Sequence, residues 1–124
     1  MPDGTTTLAT LRDAMRRYVA EREWERFHSP KNLVMALAAE AAELLEHFLW
    51  VDNDESHKLA QNPAKRQAIA DEMADVAGCL FALSNALDLD LSDAINNKMA
   101  RNAVKYPAEQ YRGKWGAEDE GEKQ

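Results

Sequence analysis

Apolar residues recur at three- and four-residue intervals from Leu8 onward, and two-residue alternation never persists. That pattern predicts helices and no strands. Thr5 to Thr7 can cap a first helix running from Leu8 to about Glu25, with Leu8, Leu11, Met15, Tyr18 and Val19 as its stripe. Phe27-His28-Ser29-Pro30 breaks it. Ser29 is a good N-cap and Pro30 a good first residue for a second helix reaching about Trp50. Asp52 to Ser56 reads as a polar loop, and the stretch through Gln61 favours no element. Asn62-Pro63 repeats the cap-then-proline start, opening a third helix from Pro63 to about Leu87. After a turn at Asp88 to Asp90, Asp90 or Ser92 caps a fourth helix that ends near Lys105, before Pro107. Short connections between four helices predict an all-α bundle in one domain, residues 1–115, followed by a disordered acidic tail, residues 116–124. A chain of 124 residues buries only a modest core, so its long helices are expected to complete their burial by oligomerising.

The acids interrupt this pattern where leucines are expected. On the second helix Glu40, Glu43 and His47 share a face flanked by Leu33, Ala36, Leu37 and Leu44. On the third, Glu72 and Asp75 share a face with Ala68, Ile69, Val76, Cys79, Leu80 and Leu83. Residues three apart are neighbours on a helix surface, so E-x-x-E and E-x-x-D present four carboxylates to one groove. Unpaired carboxylates in an apolar seam are costly and repel one another. A hard divalent cation such as Mg²⁺ relieves both problems and keeps waters that phosphate oxygens can replace. Glu21, Glu46 and Asp71 fall off these faces and read as solvated.

The remaining chemistry is sparser. Lys98, Arg101 and Lys105 share a face of the fourth helix, with Asn102 beside them. This basic cluster could hold the excess charge of a metal-bound triphosphate, or it could simply complement the helix dipole. Trp24 and His28 lie at the first break and Trp50 closes the second helix, where rings can form a slot for a base or pack as ordinary core. The net charge of −7 argues against a nucleic-acid polymer as partner. Cys79 is the only cysteine, which precludes an intrachain disulfide and fits a reducing compartment. With no signal-peptide pattern at the N-terminus and no membrane-spanning segment, a cytoplasmic protein that does not bind membranes is expected.

These residues resemble the MazG-like all-α nucleotide pyrophosphohydrolases, and within them the dCTP pyrophosphatase-like branch. The resemblance is carried by the segment from Glu23 to Leu33, by Glu40 to Trp50, by Asp71 to Val76, and by Asn97-Lys98 through Tyr106-Pro107. It implies Mg²⁺, with Mn²⁺ as a substitute, held by Glu40, Glu43, Glu72 and Asp75. It also implies cleavage of a nucleoside triphosphate, dCTP or a modified dCTP, to the monophosphate and pyrophosphate. In that branch Trp24 and Trp50 match base-pocket positions, and Lys98, Asn102 and Tyr106 match the phosphate side. A homodimer or homotetramer is implied too. Met15 and Cys79 stand where the related dCTP enzymes carry a histidine and a tyrosine.

The expected mechanism is in-line displacement, with Glu40 or Glu43 orienting and deprotonating water and Lys98 and Lys105 stabilising the leaving pyrophosphate. Two other readings compete. A di-iron carboxylate bundle would need two E-x-x-H motifs facing the core, and only Glu25-x-x-His28 has that form. A helical interaction module would have the same outline without needing the acid seam.

Overall fold

The computed structural model describes residues 1–115; the expected acidic tail lies outside the described residues. They form two compact units, residues 1–89 and residues from Asp90 onward, and no strand occurs among the described residues.

In the first unit the Thr7 side chain accepts from the Thr10 N–H at 3.1 Å and starts α1, Leu8–Glu21. Ser29 accepts from the Asn32 N–H at 3.2 Å to start α2, Pro30–Glu46. Asp52 caps a single turn, α3, Asn53–Ser56. Asn62 Oδ1 accepts from the N–H groups of Ala64 and Lys65 at 3.0 and 3.1 Å, and α4 runs Pro63–Leu87. In the second unit Asp90 caps α5, Leu91–Lys105, and a further turn, α6, spans Ala108–Tyr111.

Three boundaries differ from the sequence expectation, each for a local reason. The first helix stops at Glu21 rather than Glu25. Glu23 takes the left-handed conformation, with φ 52°, and closes the helix by sending its N–H to Ala20 O and that of Trp24 to Val19 O, both at 3.0 Å. Glu25–Phe27 then forms one tight turn. The second helix stops at Glu46 rather than Trp50. There the bonds shorten to His47 N–H on Leu44 O and Phe48 N–H on Leu45 O, and Phe48 turns half-buried onto the helix pair. Finally, residues 53–56 are helical rather than looped, because Asp52 and Glu55 stand in capping-box positions and Asp52 Oδ1 accepts the Glu55 N–H at 2.8 Å.

α4 is the axis of the first unit, with α1 and α2 both packed on it. Val19, Leu33 and Ala82 are buried there, and full burial of a Val or Leu side chain contributes about 1.5–3 kcal/mol. A polar pin also ties α1 to α4. Asn85 Oδ1 accepts from Arg12 Nε at 3.2 Å and from Arg16 at 3.0 Å, while Asn85 Nδ2 donates to Arg12 O at 3.0 Å. Small residues at 74, 78 and 82 allow the close approach: a β-carbon on Gly78 would stand 3.1 Å from Met15 Cε.

Candidate functional site

Leu33, Leu37, Glu40 and Leu44 follow one another along the buried side of α2, and Ile69, Glu72, Val76 and Cys79 along that of α4. Glu40 and Glu72 therefore enter the seam at positions where the helical repeat otherwise places apolar side chains, and both are half-buried. Glu43, one turn beyond Glu40, is exposed at the edge. One carboxylate oxygen from each of Glu40, Glu43 and Glu72 lies within 4.8 Å of the others.

The electrostatics follow from that crowding. Glu40 Oε2 and Glu72 Oε2 are shut off from solvent without a hydrogen-bond partner. Loss of hydration, then the neighbouring Glu43 carboxyl and the charge of Asp75, push Glu40 up to about 7. Loss of hydration, followed by Glu43, also raises Glu72. Two stranded oxygens and three crowded carboxylates form a donor set suited to a hard divalent cation, which would satisfy the oxygens and cancel the repulsion. Asp75 does not join the three converging acids. It is exposed, and its charge acts on Glu40, Glu72 and Cys79.

Beside the acids lies a pocket of about 350 Å³. Tyr18, Trp24 and His28 line it, together with Gly78 and Cys79 from α4, and Glu40 and Asp75 also border it. The Trp24 ring meets Tyr18 edge-on, with centroids 5.8 Å apart, and His28 lies 6.4 Å from it. Burial raises the Cys79 thiol, followed by the charges of Glu40 and Asp75. The combination of ring walls, small helix residues and a few acids can hold a flat heterocycle next to a cation site.

The first unit thus brings together Glu40, Glu43 and Glu72 and places Trp24, His28 and Asp75 around the adjoining pocket. Trp50 does not line it; the ring is 93% exposed in the turn after α2. Lys98, Arg101, Asn102, Lys105 and Tyr106 belong to the second unit. There the three cations are exposed on α5 and form no ion pair among the described residues. Lys105 Nζ lies 5.3 Å from the Tyr106 ring, which packs edge-on to Tyr111 at 5.2 Å. Sequence reasoning treated Tyr18 as core stripe and passed over Gly78. The signal was present: small residues recur every fourth position at Ala70, Ala74, Gly78, Ala82 and Ala86, marking a helix face that others approach closely.

A model of the MazG-like family matches residues 35–118. The chain is 39% identical over 107 residues to dCTP pyrophosphatase 1 of Mus musculus, covering 86% of this chain and 63% of that protein. The Homo sapiens protein of the same name is 39% identical over 102 residues, covering 82% and 60% respectively. The chain therefore spans about three-fifths of the length of these curated relatives. Among solved structures, a pyrophosphatase from Archaeoglobus fulgidus superposes with a TM-score of 0.76 at 30% identity, covering 86% of this chain and 98% of that one.

Proposed function

The chain belongs to the MazG-like family, and from that premise we propose that it is a nucleoside triphosphate pyrophosphohydrolase. Its substrate in this reading is dCTP or a base-modified dCTP, and its products are the monophosphate and pyrophosphate. The observation that carries the reading is the convergence of Glu40, Glu43 and Glu72, with two stranded oxygens, beside an aromatic-walled pocket. The names of the Mus musculus and Homo sapiens relatives, and the pyrophosphatase superposition, support it.

Glu40, Glu43 and Glu72 would hold Mg²⁺, or Mn²⁺ in its place, and Asp75, one turn further along α4, is added as a fourth ligand on the family resemblance alone. When bound, the cation would screen the phosphate oxygens and stabilise charge that develops on them during displacement. Trp24 and His28 would border the base. Glu40 or Glu43 would orient the attacking water and accept its proton. Lys98, Arg101 and Lys105, with Asn102 and Tyr106, would carry phosphate charge, a role that rests on the family resemblance and on the clustering of the three cations along α5. Trp50 is assigned to the base as well, on the family resemblance alone.

A homodimer or homotetramer is part of this proposal. An apolar groove of about 450 Å³ runs along α2 and α4, lined by Leu44, Leu45, Phe48, Ile69 and Met73. Leu45 and Met73 are each 57% exposed, as expected of a face that another copy covers. A cytoplasmic location is also proposed; no helix among the described residues is long and apolar enough to cross a membrane, and Cys79 is a free thiol.

The test is pyrophosphate release from a panel of canonical and base-modified dNTPs, with Mg²⁺, with Mn²⁺ and with chelator. Metal-dependent release is expected, fastest with a cytosine base. Failure to release pyrophosphate from any of them would end the reading.

A further inference from the structure

The Trp24 ring is 40% exposed, so burial alone does not fix it. Two neighbouring residues do. Glu23 adopts a φ of 52°, a conformation in which its β-carbon is strained and for which glycine is the usual choice. That turn reverses the chain, bonds the Trp24 N–H to Val19 O at 3.0 Å, and brings the indole back onto the last turn of α1, edge-on to Tyr18. Arg22 braces the same pair of rings. Its guanidinium lies 3.7 Å from the Tyr18 centroid and 6.0 Å from that of Trp24, and it donates to Tyr18 O at 3.0 Å. A planar guanidinium lies flat on the ring and still has donors for the carbonyl, whereas a lysine ammonium meets the ring only as a point charge.

We propose that Arg22 and Glu23 are positioning residues that fix Trp24 as the wall of the nucleotide pocket. The proposal rests on the nucleotide-hydrolysing function assigned above. Ordinary helix termination is the competing explanation, and the molecule contains its own control. Asp88 closes α4 with the same φ of 52° and the same pair of bonds, Leu89 N–H to Ser84 O at 3.0 Å and Asp88 N–H to Asn85 O at 3.3 Å. Neither Asp88 nor Leu89 lines the pocket. Two identical turns therefore share a structural role, and only one carries a pocket residue.

The experiment compares Glu23→Val with Asp88→Val. A β-branched residue opposes the left-handed conformation equally at both sites. Melting temperatures should fall alike. Glu23→Val should raise KM for the best dNTP, by about tenfold with kcat within about twofold, as expected for a loosened binding wall. Glu23→Gly should restore the wild-type KM. An unchanged KM in Glu23→Val, or a KM rise that Glu23→Gly does not reverse, would overturn the proposal. Arg22→Ala and Arg22→Lys leave the backbone turn intact and serve if Glu23→Val does not fold. Both should raise KM, and a wild-type KM in both would also overturn the proposal. A nucleotide-free readout separates this idea from the proposed function. In a Trp50→Phe/Trp115→Phe background Trp24 is the sole tryptophan, and its fluorescence anisotropy should drop in Glu23→Val and Arg22→Ala but not in Asp88→Val. Unchanged anisotropy sinks the positioning role, whereas a protein that hydrolyses no nucleotide yet shows the drop sinks only the function.

Discussion

The acid seam between α2 and α4 and the aromatic wall around Trp24 border the same pocket but are held by different kinds of structure. Glu40 and Glu72 project from the interiors of long helices that pack on each other, so their meeting follows from helical register. Trp24 and His28 stand on a tight turn between helices, where position depends on individual backbone bonds. A seam built on helices resists local change and fails only when its own acids are altered. A wall built on a turn shifts with its neighbours.

The largest effect should come from the seam. Glu72→Gln is expected to lower pyrophosphate release by more than about a hundredfold, because it removes a cation-binding carboxylate. The same substitution removes a crowded charge, so the metal-free protein should melt at a higher temperature than wild type. Activity assays and melts on one preparation check both. Full turnover in the variant would remove Glu72 from the site.

The next effect is the dependence of the seam on pH. Glu40 is pushed up to about 7 in the folded chain, while the unfolded chain ionises it at about 4.5. Between those values the unfolded state gives up the proton and the folded state keeps it. The stability of the metal-free protein should therefore fall as pH rises from about 4.5 to about 7 and level off above. Denaturation series on wild type and Glu40→Gln isolate the contribution, and the decline should be shallower in the variant. Because the cation needs the ionised form, apparent Mg²⁺ affinity should weaken by about tenfold per pH unit below the Glu40 value. Saturating Mg²⁺ should flatten the stability curve.

On the wall, Trp24→Ala should raise KM by about tenfold, roughly 1.4 kcal/mol, with little change in kcat. Trp50→Ala alters a ring that is 93% exposed, and stability should stay within about 0.5 kcal/mol of wild type. A KM rise in Trp50→Ala matching that of Trp24→Ala would place Trp50 on the nucleotide in an assembly larger than one chain.

The same contrast explains what could be read from the sequence. Spacing put Glu40, Glu43, Glu72 and Asp75 at one groove, and the first three converge there, because a 3.6-residue repeat carries register over many turns. It placed α4 and α5 correctly because Asn62-Pro63 and Asp90 are strong starts. The ends of the first two helices were not legible. Nothing in Glu23 announces a left-handed residue, since glycine is the usual signal, and Phe48 leaves the helix for a tertiary contact. The group of three without Asp75 also lies beyond spacing, because one turn of α4 decides which carboxyl converges and which stands at the border of the adjoining pocket.

The smallest effect tests the robustness claimed for the seam. Asn62 caps α4 by accepting two backbone N–H groups, and Asn62→Ala should cost about 1 kcal/mol of stability. Glu72 lies ten residues further along, about 15 Å at the helical rise. Packing of α2 and α1 on α4 holds the register over that distance, so fraying at Asn62 should not reach the acids. Wild-type kcat, KM and Mg²⁺ dependence are expected, with only the denaturation midpoint lowered. A shifted Mg²⁺ dependence in this variant would show that the seam is positioned from the helix end. It would then be no sturdier than the turn beneath Trp24.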